Sequence, residues 1–246
     1  MARVETVQTI INRTAVEVGL SESPDPVGDT NETFIQLRGL LTSAGQELCD
    51  LNAWPELLRR YSVTKDKLSN VPGSYFLPDD FNYMVDQTGW DLTNNMPVAG
   101  PLSPQQWSFL KGTGTNQKTI YASFRQADGK IDLTPNPLPE GEEISFAYIS
   151  RDWLLEEVGK EARFDSVRAN QNVCLFDPLL MIKFLKLKFL QAKGFDSAAA
   201  GMEFDTLLGS RIGKSTGAPI LRVGGDYSGI RYITPYGNTR DSGYGL

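Results

Sequence analysis

The chain reads as a mixed α+β protein: a helical bundle interrupted by an antiparallel β domain and followed by an extended C-terminal arm. Three observations predict this. Apolar residues recur at helical spacing up to Leu51 and again after Asp177. From about Arg59 to Trp153 the period drops to two, and after Gly213 no period survives. The expected boundaries are residues 1–56 and 156–212 for the two parts of the bundle, 57–155 for the inserted β domain, and 213–246 for the arm.

From the N-terminus, Val4, Val7, Ile11, Ala15 and Val18 trace one face of a first helix that Gly19 can stop. A proline-containing linker over residues 21–28 follows. Asp29 with Glu32 reads as a capping box for a second helix, whose apolar face runs through Phe34, Leu37, Leu41, Ala44, Leu48 and Leu51 and ends before Pro55.

In the β region, Tyr75 to Leu77 is a short strand that Pro78 ends or confines to a sheet edge, because proline brings no N–H to the ladder. Asp79 and Asp80 make a turn, and Tyr83 to Asp86 alternates as a half-buried strand. Ser103, Pro104 and Gln106 form a capping-box start for a short helix carrying Trp107. Ile120, Ala122 and Phe124 alternate with polar residues, as do Ile131 and Leu133. Asp128-Gly129 between them is a two-residue hairpin turn. After a turn at residues 135–141, Ile144, Phe146, Tyr148 and Ile149 mark the last strand.

Asp177 and Pro178 open a helix through Lys193 that is apolar over most of its circumference, and Gly194 caps it. Two partner helices would not easily cover such a surface, so Phe184 and Leu187 are expected at a contact with a neighbouring subunit. A last helix starts at Asp196 or Ser197, carries Ala200, Phe204, Leu207 and Leu208, and ends near Gly213.

Composition narrows the chemistry. The 246 residues carry 24 Lys and Arg against 30 Asp and Glu, a net charge of −6, which argues against a reader of duplex DNA. Histidine is absent altogether, so triad catalysis and imidazole metal sites are excluded. Cys49 and Cys174 read as reduced core thiols. The N-terminus lacks the layout of a secretion signal. Residues 179–190 are interrupted by Lys183, Lys186 and Lys188 and fall short of the roughly 20 apolar residues of a membrane span.

Asp79, Asp80, Asp86, Asp91, Glu140, Glu142 and Glu143 are the carboxylates that a hydrolase could use, and turn or surface roles are assigned to them. Gly209 to Ser215 has the wrong spacing and context for a phosphate loop, residues 128–132 are too short for a calcium loop, and the sequons at Asn12 and Asn31 are chance matches. No cofactor or metal is called for. The arm is different. Ile220, Leu221, Arg222, Val223, Tyr227, Ile230, Tyr232, Ile233 and Tyr236 sit among glycines, the composition of a segment that orders against a partner.

Five stretches taken together resemble a known family. They are LPDDF at 77–81, QTGW at 87–90, GPLSPQQW at 100–107, FAYISRDW at 146–153 and FDPLLMIKFLKLKFLQAKGFD at 176–196. In this order they look like the head-to-tail adaptors of tailed bacteriophages, and most like those of short-tailed phages, termed tail tubular protein A or head-completion protein. The resemblance covers about residues 1–212.

It implies a structural protein without enzymatic activity, made in the host cytoplasm and located in the virion at the head–tail junction. It further implies a ring, generally of twelve copies, beneath the portal protein, presenting a platform to the tail nozzle protein and lining a channel through which DNA passes without specific binding. The arm would then dock on the portal or a neighbouring copy, and the Asp128-Gly129 tip would touch the nozzle or an adjacent subunit. No membrane is involved. The alternatives are a carbohydrate-binding tail-tip module, which the aromatic β domain suggests, and an Asp/Glu-dependent cell-wall hydrolase.

Overall fold

The computed structural model describes residues 4–70, 73–112, 122–134, 138 and 140–215. The chain divides into two units after Ser215, and the described residues belong to the first. In chain order they form β1 (Glu5–Thr6), α1 (Val7–Glu17), α2 (Glu32–Leu51), β2 (Leu58–Val63), β3 (Ser74–Phe76), β4 (Phe81–Met84), β5 (Trp90–Asp91) and β6 (Met96–Pro97). Then come α3 (Pro104–Gly112), β7 (Ser123–Ala127), β8 (Lys130–Thr134), β9 (Ile144–Ser150), β10 (Leu154–Leu155), β11 (Arg163–Phe164), β12 (Val173–Cys174), α4 (Pro178–Lys193) and α5 (Ala198–Ser215). The class is α+β, with every strand pairing within the sheets antiparallel.

α4 is the helix around which the others gather. Asp177 caps it, its carboxylate accepting from the Leu179 and Leu180 N–H groups at 3.1 and 3.2 Å. Gly194 ends it in the left-handed conformation, φ 72°, which glycine adopts without a Cβ clash. Leu180, Met181, Ile182 and Leu185 on α4 are at most 1% exposed. α1, α2 and α5 all pack on α4.

This corrects the expected subunit contact. Phe184 and Leu187 are buried inside the chain, because α5 supplies a third helical neighbour and stacks Phe204 on Phe184 at 4.3 Å between ring centroids. The lysines that interrupt the apolar surface emerge at its flanks. Lys183 pairs with Glu17 of α1 and Glu203 of α5, Lys186 with Glu17, and Lys188 with Glu47 of α2. Arg211 of α5 reaches Asp177 at 3.0 Å.

Several boundaries move from their expected places. The first helix begins at Val7, and Val4 is exposed. Its buried face holds Ile10 and Thr14 besides Val7, Ile11 and Ala15. The cap of α2 is Asn31 rather than Asp29: the Asn31 side chain accepts from Thr33 N, while Asp29 holds Ser23 Oγ and Asn31 N. Leu51, expected on the apolar face, is exposed. α5 continues to Ser215, past the expected stop at Gly213.

A four-stranded sheet in the order β1-β12-β10-β11 joins the end of the expected β domain, at β10, to three strands in the parts assigned to the helical bundle. Each of its strands has two residues, too short for a periodicity to register.

Two further sheets make the β region. β9 is central, with β2 along one edge and both β4 and β5 along the other; β6 extends the sheet beyond β5. The third sheet runs β3-β8-β7, which puts the strand before Pro78 at an edge, as the proline requires. The β7–β8 hairpin turns at Asp128, φ 51°, and Gly129, φ 67°, with Phe124 opposite Leu133. Both central residues at positive φ is the geometry of a type I′ turn, which explains the Asp-Gly pair. Ile120 lies outside the described residues.

Two apolar cores result. One joins the helices to Trp54, Leu57, Ile149, Trp153, Cys174 and Phe176. The other joins Val63, Tyr75, Phe124, Ile131, Leu133, Ile144, Phe146 and Tyr148. β9 serves both. Trp153 lies flat against α2, so close that a Cβ on Gly45 would fall 2.0 Å from the indole.

Two stability outcomes follow from this packing. Phe184→Ala should lower the unfolding free energy by about 3 to 5 kcal/mol and Leu187→Ala by about 2 to 5, read from urea transitions. On α2, Gly45→Ala should destabilise sharply by forcing Trp153 out of place. Gly39→Ala, where a Cβ meets nothing within 4 Å, should raise stability by about 0.5 to 1 kcal/mol. Equal shifts for the two alanines would contradict the close approach of Trp153.

Candidate functional site

Two of the stretches that carry the resemblance, LPDDF and FAYISRDW, meet around one carboxylate. Asp80, in the turn before β4, accepts from the Arg59 guanidinium and the Ser150 hydroxyl at 2.7 Å each through Oδ2, and from the Tyr148 hydroxyl at 2.9 Å through Oδ1. Its backbone carbonyl accepts from Arg151 N at 2.8 Å. Phe81, next in the chain, packs against Phe146 and Tyr148. LPDDF and FAYISRDW are thereby joined.

Thr88 of QTGW exchanges hydrogen bonds with the backbone of Ala147, and Trp90 pairs with Ser145. At the other end of FAYISRDW, Trp153 stacks on Phe176 and donates from its indole to the Asp165 carbonyl at 2.9 Å. Leu102 N donates to the Phe124 carbonyl, and the capping box forms as expected, Ser103 N to Gln106 Oε1 at 2.9 Å and Gln106 N to Ser103 Oγ at 3.2 Å.

The charged groups of this junction shift one another's ionisation. Burial disfavours an ionised Asp80, but the hydrogen bonds from Ser150, Arg59 and Tyr148 outweigh it and hold the carboxyl below its ordinary range. Asp152 moves the other way, raised by burial and by Asp80 and Asp165 nearby. Burial and the Arg59 charge lower Arg163 from its ordinary value, and one of its guanidinium nitrogens is buried with no hydrogen-bond partner among the described residues. Arg59, Tyr148, Ser150 and Arg163 were not singled out as site residues in the sequence. Tyr148 and Ser150 stand in the stretch FAYISRDW, but nothing local says that they reach back to Asp80.

The carboxylates assigned to turns and surfaces split into two groups. Asp79 and Asp80 are in a turn as expected. Asp91 and Glu142 are not surface groups: they are 3% and 6% exposed and adjoin one another, bridged by the Asn94 amide. Such a carboxyl pair has the chemistry of an acid and base couple, but a substrate would need access to it, and these two are enclosed. No group of three or more Cys, Asp or Glu is placed to hold a metal among the described residues. Cys49 and Cys174 are buried free thiols, and burial pushes the Cys49 thiol up to about 12, so it is no nucleophile at neutral pH.

The exposed surface offers other features. Asp128 and Gly129 form an exposed tip. An open groove of about 640 Å³ between α4 and α5 is lined by Leu179, Lys183, Met202, Glu203, Thr206, Leu207 and Ser210. Trp54, Trp107 and Trp153 are buried, leaving Trp90, at 38%, as the tryptophan on the surface. No helix among the described residues is long and apolar enough to cross a membrane. The arm residues from Ile220 to Tyr236 lie outside the described residues.

Asp80→Ala leaves the Arg59 charge and the Tyr148 and Ser150 hydroxyls without their acceptor, and should cost about 1 to 3 kcal/mol. The pH dependence has a definite sign. A carboxyl depressed in the folded state adds stability above its unfolded value of about 3.8, and that stability is lost as pH falls through the folded value. Urea transitions between pH 2 and 6 should therefore show a shallower acid limb for Asp80→Asn than for the unmodified chain.

Comparison with protein-family models and with curated proteins finds no match for the chain.

Proposed function

We propose that the chain is a structural head-to-tail adaptor of a tailed bacteriophage, assembling as a ring, twelve copies in the family it resembles, between portal and tail nozzle. The observation that carries this reading is that three of the resembling stretches are tied to the fourth, FAYISRDW: LPDDF through Asp80, QTGW through Thr88 and the 176–196 stretch through Phe176. Residues far apart in sequence are tied by hydrogen bonds and ring contacts, as a framework requires. A scaffold that bears load across an assembly needs its parts locked at their joints, and buried charge-assisted bonds supply that directionality.

Other features support the same reading. The net charge of −6 suits a wall past which DNA slides without adhering. The burial of three of the four tryptophans leaves Trp90 as the only indole for a carbohydrate-binding module to present. The enclosure of Asp91 and Glu142 counts against their serving as a hydrolase pair. The localisation in the virion belongs to this proposal, as do the portal and nozzle as partners and the role of the arm residues.

Mixing the purified chain with assembled portal protein and imaging the product by electron microscopy should show an added ring beneath the portal. A chain that stays monomeric beside intact portals would overturn the reading. Removing residues 216–246 should leave the folded unit intact by circular dichroism yet abolish portal binding. Undiminished binding would mean that the arm is not the anchor.

A further inference from the structure

Asp91 and Glu142 face each other at the base of the β5–β6 hairpin in an arrangement that calls for a proton. Both are almost wholly buried, and no ion pair of the described residues reaches either. Asp91 Oδ1 accepts from the N–H groups of Thr93 and Asn94 at 3.0 Å each. The Asn94 amide donates to Asp91 Oδ2 at 2.8 Å and to Glu142 Oε1 at 3.1 Å. Glu142 Oε2 is buried with no donor among the described residues. Two adjoining carboxylates with no cation between them cannot both stay ionised in such a site, because each lacks water and each repels the other.

The hairpin above them is lightly held. β5 pairs with β9 at only two positions, Trp90 with Ser145 and Asp91 with Ile144. Beyond these, Leu92 N donates to the Glu143 carbonyl at 2.9 Å, and Thr93 Oγ1 donates to the Gly141 carbonyl and accepts from Glu143 N. Trp90, Leu92 and Met96 are partly exposed and add little burial. A segment secured by so few contacts opens at low free energy, so one repulsive pair beneath it changes its population.

We propose that Asp91 and Glu142 form a proton-operated latch, closing the β5–β6 hairpin onto β9 while they share a proton and loosening it once both are ionised. The proton sits on Glu142, makes its carboxyl a donor to the adjoining Asp91 carboxylate, and passes to solvent on opening.

Burial and Asp91 beside it push the Glu142 carboxyl up to about 7, whereas Asp91, although burial opposes its charge, is held low by Asn94, Thr93 and Glu142. Between the ordinary value of 4.5 and about 7 the unfolded chain has released a proton that the folded chain keeps, so stability falls with rising pH across that window and levels off above it. The other titratable groups around the pair do not reverse this sign. Tyr75 of β3, its phenol bonded to Leu138 N and raised by burial, stays neutral. Lys65 lies 4.0 Å from the exposed Glu140, and Glu143 is the half-buried neighbour of Glu142.

Hydrogen exchange of the full chain, corrected for the intrinsic pH dependence of amide chemistry, tests this between pH 5.5 and 8.5 with the β7–β8 hairpin as internal reference. Protection of residues 90–97 should fall by about tenfold at the higher pH while the reference is unchanged. In Glu142→Gln, whose amide donates where the proton did, the loss should disappear. Equal corrected protection at both pH values in the unmodified chain overturns the proposal whether or not the variant folds. So does a pH-dependent loss that persists in Glu142→Gln. Protection at pH 8.5 restored by millimolar calcium to the level at pH 5.5 would overturn it in favour of a cation site.

Discussion

An apolar helix buried around most of its circumference is the constraint on which the rest depends. α4 buries residues around most of its circumference, and a helix of that kind is stable only if other elements enclose it. α1, α2 and α5 do so, and their order in the chain means that residues far from α4 must return to it. The sheets are built from the intervening chain, so the path that encloses α4 also fixes where the β region leaves and rejoins the helices.

Lys183, Lys186 and Lys188 show how such a helix tolerates charge. Each keeps its stem against apolar neighbours and carries its ammonium to an acid on an adjoining helix. Glu17 bridges two of them. Burial opposes its charge, but Lys183 and Lys186 prevail and lower its carboxyl from the ordinary value. These pairs are partly exposed and each adds little to stability. Their larger effect is on register, since a lysine displaced by one turn would lose its partner.

β9 does for the β region what α4 does for the helices. One side of it faces the sheet core through Ile144, Phe146 and Tyr148, while Ile149 and the following Trp153 belong to the helical core. Asp80 ties the turn before β4 to this strand, and Trp153 ties the chain after it to α2 and Phe176. The same strand carries the paired base of the hairpin over Asp91 and Glu142. A lock at one end and a titratable latch at the other give β9 two ends of different stiffness.

The sequence by itself determined the elements whose cause is local. The proline and glycine at the ends of α4, the Ser103–Gln106 box and the Asp128-Gly129 turn each act through bonds and dihedrals within a few residues, so their residue types announce them. Runs as long as α2 and α5 also declare their inner faces by period. Only the tertiary structure decided what covers those faces. Phe184 and Leu187 read as a surface seeking a neighbouring subunit until α5 folded over them, and the two-residue strands of the β1-β12-β10-β11 sheet exist only because their partners lie alongside. The carboxylates make the point most sharply. Asp79, Asp80 and Asp91 are alike in sequence, yet one stays in the turn, one anchors an arginine and two hydroxyls, and one shares a buried site with Glu142. Burial and distant partners set those roles, and neither is a property of local sequence.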